Sequence, residues 1–364
     1  LTRLAILNDL HFGVRNGNSI FENELKSFLE NDFSPKIEEE NITDIIVAGD
    51  VFDDRKSINI KTLNLIHGSF LEPFSNKNIH IIPGNHDVYY KNVIHPNCIS
   101  PVIHKYENIK FYDKPTIVNF DNYPIQFIPW ICAENEEECL EAIESNLAKT
   151  IITHTDIMGS QNVPGIFLEH GFSLDTFFKY DFVLNGHIHT KSQIGANIHN
   201  LGTQYQFNWS DYGQKKGFHI FDTSNASLTF IPNKRDDLYV KIFYENNLIS
   251  GVESLKWLST QLERLTNKFI KVIVTGDIDR FIFDKFINIL NNDIKTYDIK
   301  IIEDIQNMFS DTISDEIVES KSTIHIIHDM IDDMNMEKNI NKDIIKSLMS
   351  KFYTEAINKG SFSE

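Results

Sequence analysis

The sequence predicts an α/β protein in two unequal domains with a helical tail, and three observations carry that expectation. Short apolar runs alternate with stretches of helical spacing through the first half of the chain. The alternation restarts after a break near Pro232. The 364 residues also exceed the ~100 to 200 of a usual single domain.

In chain order, residues 4–7, 45–48, 79–82, 150–153 and 182–184 are apolar runs short enough for buried strands. Residues 20–28 and 60–70, lying between them, carry apolar side chains at helical spacing, which gives the βαβ order of a layered α/β domain. From Thr116 onward IVNF, IQFIPW, IHNL, FHIFD and LTFI are separated by Asn, Gly and Asp turns and read as added antiparallel strands. Pro232, Asn233 and two aspartates in IPNKRDDLYV interrupt the pattern and close a first domain at 1–235. KIFY, an amphipathic 252–265, FIKVIV, an amphipathic 280–290 and YDIKII then predict a β-α-β-α-β domain at 236–303. Polar residues 304–322 read as a linker. The tail 323–364 holds two amphipathic segments, 323–334 and 342–357, suited to a helical pair that docks on a partner or folds back on its own domain.

Apolar residues at 41% and charged residues at 24% fit a soluble globular chain. The formal net charge of -18 argues against a surface that coats nucleic acid, because a negative field repels phosphate. Any nucleic acid has to meet a local basic patch, a metal or a partner. Cys98, Cys132 and Cys139 are odd in number and irregularly spaced, so no disulfide framework is expected and a reducing compartment is. No apolar run approaches the ~18 residues of a membrane span. The opening LTRLAILND is strand-like rather than a signal peptide, so the expected location is cytoplasmic, with no membrane contact.

The polar residues fall at strand ends. LAILNDLH delivers Asp9 and His11, IIVAGD delivers Asp50, IIPGNHD delivers Asn85, His86 and Asp87, TIITHTD delivers His154, and FVLNGHIH delivers His187 and His189. In α/β sheets, ligand-binding residues gather beyond the carboxyl ends of the strands. Taken singly, D-x-H reads as a turn, Asp after a strand as a helix cap and GNHD as an Asx turn. Those readings would have to coincide at five strand ends.

Carboxylate, amide and imidazole without thiolate suit Mn²⁺, Fe²⁺ or Zn²⁺ better than a structural cysteine site. Besides His86 there are seven candidate ligands, too many for one ion. Two ions ~3.5 to 4 Å apart bridged by a carboxylate would use them, with Asp50 as the candidate bridge.

The ordered set D-x-H, GD-x-x-D, GNHD, H and GH-x-H resembles the calcineurin-like metallophosphoesterase superfamily across residues 9–189. GDVFDDRKSI, GNHDVYYKNVIHPN, D-L-H-F-G and the domain order resemble, within it, the nuclease subunits of the Mre/Rad (SbcCD) DNA repair complexes, and most of all their T-even-like phage branch. The resemblance implies a four-layer α-β-β-α metallophosphoesterase sandwich with a smaller α/β capping, DNA-binding domain and a C-terminal helical pair. It implies that Asp9, His11, Asp50 and His189 hold one ion and Asp50, Asn85, His154 and His187 the other. Mn²⁺ is the first choice, with Mg²⁺, Fe²⁺ or Zn²⁺ as alternatives. His86 would stand over the scissile phosphate, and Asp87 would orient its imidazole. Asp53 replaces a histidine of some relatives and is left either as an orienting group or as a structural acid.

The implied activity is a metal-dependent DNA exonuclease and endonuclease. It would act at DNA ends in recombination or double-strand-break repair, by in-line hydroxide attack that leaves a 5′-phosphate. A general phosphatase of phosphoproteins or nucleotides shares the same metal core and is the alternative. The implied partners are DNA, an SMC-like coiled-coil ATPase gripped by residues 323–364, and a second copy of the chain, through residues 92–106, within a heterotetramer. A phage origin would put it in the host cytoplasm. Arg55, Lys56, Lys61, Lys215, Lys216, Lys234 and Arg235 are candidate phosphate contacts or, equally, solvated surface.

Overall fold

The computed structural model describes residues 2–302 except 146, 164, 236, 246–259, 261 and 276–277, together with 342, 345, 346, 348 and 349. Strands β1 (Arg3–Leu7), β2 (Asp44–Ala48), β3 (Asn78–Ile82) and β4 (Ile109–Phe111) pair in parallel in that order. The chain then crosses to a second sheet with β5 (Thr116–Phe120), β6 (Tyr123–Phe127) and β7 (Thr150–Thr153). A small hairpin, β8 (Gln161–Val163) and β9 (Ile166–Phe167), precedes β10 (Phe182–Asn185), β11 (Ser192–Ile194) and β12 (Ile198–Asn200). The chain returns to the first sheet with β13 (Gly217–Asp222) and β14 (Ser227–Pro232). The sheet orders are β14-β13-β1-β2-β3-β4 and β11-β12-β10-β7-β6-β5.

Side chains alternate across each strand, so every sheet has two faces to bury. Leu4, Ile6, Ile46, Ala48 and Ile82 of the first sheet meet Phe127, Ile152 and Leu184 of the second. Ala5, Leu7, Ile45 and Val47 point the other way and pack on Phe21, Leu25, Phe28 and Phe70. Ile151 and Val183 pack outward on Cys139, Ile143, Phe177 and Tyr180. The result is the four-layer α-β-β-α sandwich, in which each fully buried Leu, Ile or Phe contributes roughly 1.5 to 3 kcal/mol.

Helix Ser19–Phe28 starts where the Asn18 side chain accepts from Ile20 N at 2.9 Å, and helix Ile60–Ile66 where Asn59 accepts from Thr62 N at 2.8 Å. Of the strands expected to be antiparallel additions, two pair in parallel as well, β6 with β7 and β12 with β10. The reason is topological. Helix Glu136–Ser145 carries the chain back between β6 and β7, as a parallel connection requires, and edge strand β11 turns it so that β12 enters alongside β10.

Strands β15 (Tyr239–Glu245), β16 (Phe269–Thr275) and β17 (Asp298–Ile302) form a separate parallel sheet. Val240, Ile242, Tyr244 and Val272 bury against Phe283 and Phe286 of helix Arg280–Asn288. This unit seats on the larger one through Phe269 stacked on Phe21 at 5.7 Å and Tyr239 edge-on to Trp209 at 4.9 Å. The amphipathic segment 252–265 is helical where described, at Thr260 and Leu262–Leu265. The linker 304–322 lies outside the described residues, as does the helical pair apart from the five positions between 342 and 349, which are helical. No helix among the described residues is long and apolar enough to cross a membrane.

Candidate metal centre

The loops leaving β1, β2, β3, β7 and β10 converge. Backbone pairing continues past β1 and β2, with Asp9 N donating to Gly49 O at 3.0 Å and His11 N to Asp50 O at 3.1 Å, so these two motifs are locked together before any side chain acts. Asp9, His11 and His189 present donor atoms within 4.8 Å of one another, and so do Asp50, His154 and His187. Asp50 Oδ2 lies 3.2 Å from His154 Nε2 and 3.8 Å from His11 Nε2 and thereby faces both groups. Asn85 Oδ1 joins the second group, 3.1 Å from His154 Nε2 and 2.9 Å from His187 Nδ1.

The backbone is bent to aim these side chains. Asp9, His11, Asp50 and His187 have φ of 45°, 45°, 50° and 70°, left-handed conformations that cost a non-glycine residue about 1 to 2 kcal/mol each. Close packing does the rest. A Cβ on Gly84 would stand 2.1 Å from Asp50 Oδ1, and one on Gly49, whose φ is +88°, 2.2 Å from His154 Nδ1. Gly84→Ala is therefore expected to lose metal uptake and to lower stability by roughly 1 to 3 kcal/mol, the scale of core overpacking. Calorimetry with Mn²⁺ beside a melting curve checks this; undiminished stoichiometry would show that Asp50 can yield.

His86 N donates to Asp50 Oδ1 at 2.8 Å, and the His86 ring stands edge-on to His11 with centroids 5.0 Å apart. Its Nδ1 donates to the Asp53 carbonyl at 2.6 Å, which leaves Nε2 on the other side of a half-buried ring. The expectation that Asp87 orients this imidazole is corrected by the geometry. Asp87 is fully buried and its carboxylate accepts from Val51, Phe52 and Gly84 backbone N–H groups at 3.2, 3.1 and 2.9 Å. It ties the β2 and β3 loops together, because three orphan donors lie nearer to it than the ring does. Burial and the neighbouring Asp50 push its carboxyl up to about 7 against those three hydrogen bonds.

Two acids stand behind the His11 and His187 imidazoles: Asp53, left open by the sequence between an orienting group and a structural acid, and Asp156, which the motifs did not single out. Asp53 Oδ1 lies 3.2 Å from His11 Nδ1, and Asp156 Oδ1 lies 2.9 Å from His187 Nε2. Asp156 stands two residues after His154 in HTD, but its partner His187 lies 31 residues further along the chain, so no local spacing marks the contact. Behind it a buried amide network sets the loop. Asn185 accepts from Thr155 N at 3.1 Å and donates to Thr155 O at 3.0 Å and to Asn200 at 2.9 Å.

The basic loops divide. Lys216 is buried and pairs with buried Asp211 while donating to His189 O at 2.8 Å. Lys61 pairs with buried Glu22, and Arg235 with buried Glu24 at 3.1 Å. These three neutralise carboxylates that burial would otherwise leave unpaired, so they are structural rather than free for phosphate. Arg55, Lys56, Lys215 and Lys234 keep solvent contact.

The donor chemistry fits divalent cations. Asp9 Oδ1 is buried without a hydrogen-bond partner among the described residues. His154 Nδ1 donates to the Ala48 carbonyl at 2.8 Å, which turns the Nε2 lone pair toward Asp50 and Asn85 oxygens that are also acceptors. Three lone pairs facing one another call for a cation or a proton between them. Without a metal the proton serves. Burial alone would lower His154, but Asp50 and Asp9 lift it to about 9; burial would likewise lower His11, but Asp53, Asp50 and Asp9 lift it to about 10. Asp50 is raised by burial yet held well below the usual carboxylate range by His154, His86 and His11.

Both imidazoles thus titrate above their ordinary 6.5. In the metal-free protein their charged forms add stability that is complete below pH 6.5 and lost as pH rises through about 9 to 10. Metal needs the neutral rings and must displace those protons, so affinity is expected to rise with pH over the same interval. Mn²⁺ titrations in buffers of different ionisation enthalpy check this through the protons released; pH-independent affinity would contradict it.

A family model described as calcineurin-like phosphoesterase matches residues 2–191, a span that holds every candidate donor from Asp9 to His189. Exonuclease subunit 1 of Enterobacteria phage T4 is 33% identical over 329 residues, which cover 88% of this chain and 90% of that protein. A nuclease SbcCD subunit of Staphylococcus epidermidis is 22% identical over 379 residues, covering 89% and 97%. On the family match and the length of the alignment to the phage protein, the chain belongs to the calcineurin-like phosphoesterase family.

Proposed function

We propose that the chain is a metal-dependent DNA nuclease, hydrolysing phosphodiester bonds as an exonuclease and endonuclease at DNA ends in recombination or break repair. The observation that carries this reading is the convergence of oxygen and nitrogen donors from five loops on Asp50, in a chain similar over most of its length to proteins named as nuclease subunits. Asp9, His11, Asp50 and His189 would hold one ion and Asp50, Asn85, His154 and His187 a second, with Mn²⁺ the first candidate among divalent metals. When bound, such ions lower the pKa of coordinated water and neutralise charge on phosphate oxygens.

The chain's own residues then have separable tasks. Asp50 holds the two donor groups together and, through its second oxygen, the His86 backbone. His86, with Nδ1 held by the Asp53 carbonyl, uses Nε2 to bind the scissile phosphate. In its protonated form it gives that proton to the departing 3′-oxygen as the phosphorus–oxygen bond breaks, leaving a 5′-phosphate. End-labelled duplex incubated with Mn²⁺ tests the reading against an Asp50→Ala control. Release of labelled nucleotides by the intact chain alone supports it; intact DNA with hydrolysis of a simple phosphomonoester would favour a general phosphatase.

The partner reading extends this. Both relatives are named as subunits, and the net charge of -18 leaves DNA attraction to another surface. We assign residues 323–364 to grip an SMC-like coiled-coil ATPase, residues 236–303 to cap the site over DNA, and residues 92–106 to join two copies of the chain. Deleting 323–364 is expected to abolish copurification with a coexpressed ATPase of this kind while metal stoichiometry stays unchanged. Retained copurification would remove the tail from the interface.

A further inference from the structure

We propose that Asp53 and Asp156 are the positioning carboxylates of the metal centre, one for each ion, Asp53 acting through His11 and Asp156 through His187. The inference rests on the two-ion reading above and adds two residues to it.

The two contacts are related in design. In each, one ring nitrogen faces the donor cluster and the opposite nitrogen faces an acid. His11 Nε2 is 3.2 Å from His189 Nε2 and 3.8 Å from Asp50 Oδ2, whereas its Nδ1 is 3.2 Å from Asp53 Oδ1. His187 uses the rings' other sense, with Nδ1 2.9 Å from Asn85 Oδ1 and Nε2 2.9 Å from Asp156 Oδ1. A carboxylate behind an imidazole fixes the tautomer, holds the ring plane and strengthens the opposite nitrogen as a donor. The His187 contact is a well-formed hydrogen bond. The His11 contact is close but off the N–H line, and Nδ1 has no hydrogen-bond partner among the described residues.

His11, Asp53 and His86 also lie close enough together to resemble a third cation site. The His86 Nδ1 is already committed to the Asp53 carbonyl at 2.6 Å, which leaves too few donors there and makes Asp53 an orienting group. That carbonyl is untouched by side-chain substitution, so changing the carboxylate separates its effect on His11 from any effect on His86. Both acids reach solvent, their side chains 26% and 29% exposed against 3% for His11 and 21% for His187, so isosteric amides are tolerated by the fold.

Mn²⁺ binding to the full chain tests this by calorimetry and by the electron paramagnetic signal of bound metal. Asp53→Asn and Asp156→Asn are each expected to weaken one of two ions by roughly 10- to 100-fold and to leave the other unchanged. Double variants fix the pairing: Asp53→Asn adds little in a His11→Gln background and its full effect in a His187→Gln background, and Asp156→Asn does the reverse. Cooperative metal-free melting, and partial recovery of metal affinity in Asp53→Glu and Asp156→Glu, separate positioning from folding. Additive losses in all four doubles, or equal weakening of both ions by each single variant, would overturn the pairing. Fewer than two ions on the wild-type chain would instead overturn the two-ion reading beneath it.

Discussion

Asp50→Ala is expected to abolish stoichiometric metal binding and to lower phosphodiester hydrolysis by at least about 10³-fold, taking metal assistance as several kcal/mol at ~1.4 kcal/mol per tenfold. Asp50 Oδ2 approaches both donor groups, 3.2 Å from His154 and 3.8 Å from His11, nearer than Asp9 Oδ1 at 4.0 and 3.9 Å from the same two rings. Its second oxygen holds His86 N at 2.8 Å, so the loss also frees the backbone of the residue we propose to meet the phosphate. Asp50→Asn keeps an acceptor for His86 N but removes the charge that balances two cations. If bridging charge is what matters, the amide fails almost as badly as alanine. Metal analysis of the purified variants decides the matter, and two ions per chain in Asp50→Ala would exclude the bridging role.

The second large effect is expected from His86→Ala, and its signature is opposite. Both ions stay, because His86 contributes no donor to either group and its Nδ1 is engaged by the Asp53 carbonyl. DNA cleavage is expected to fall by roughly 10²- to 10⁴-fold, the usual worth of a positioned general acid. Bis(p-nitrophenyl) phosphate provides the internal control, since nitrophenolate departs without needing a proton. Its hydrolysis is expected to fall far less than that of DNA. Equal losses on both substrates would point to phosphate binding rather than proton delivery, and undiminished turnover with two bound ions would take His86 out of the reaction.

Much of the fold and of the donor set is legible in the sequence because its signals are local. Apolar runs such as LAIL and IIVA end in Asp9 and Asp50 within a few residues, so strand and donor are read from one stretch. Helix starts at Asn18 and Asn59 are likewise written beside the helices they cap. Parallel pairing of β6 with β7 was not legible, because direction depends on a helix placed between them.

By itself, then, the sequence determined the layered α/β class, the types of donor and the order in which five strand ends supply them. Tertiary structure alone decided which atoms meet. It placed Asp53 behind His11 and Asp156 behind His187, turned Asp87 from His86 to three backbone amides, and withdrew Lys216 into a buried pair with Asp211. The physical reason is range. Periodicity and strand-end chemistry are set by neighbours along the chain, whereas a hydrogen bond between loops depends on ångström-scale register and left-handed turns that sequence spacing does not encode.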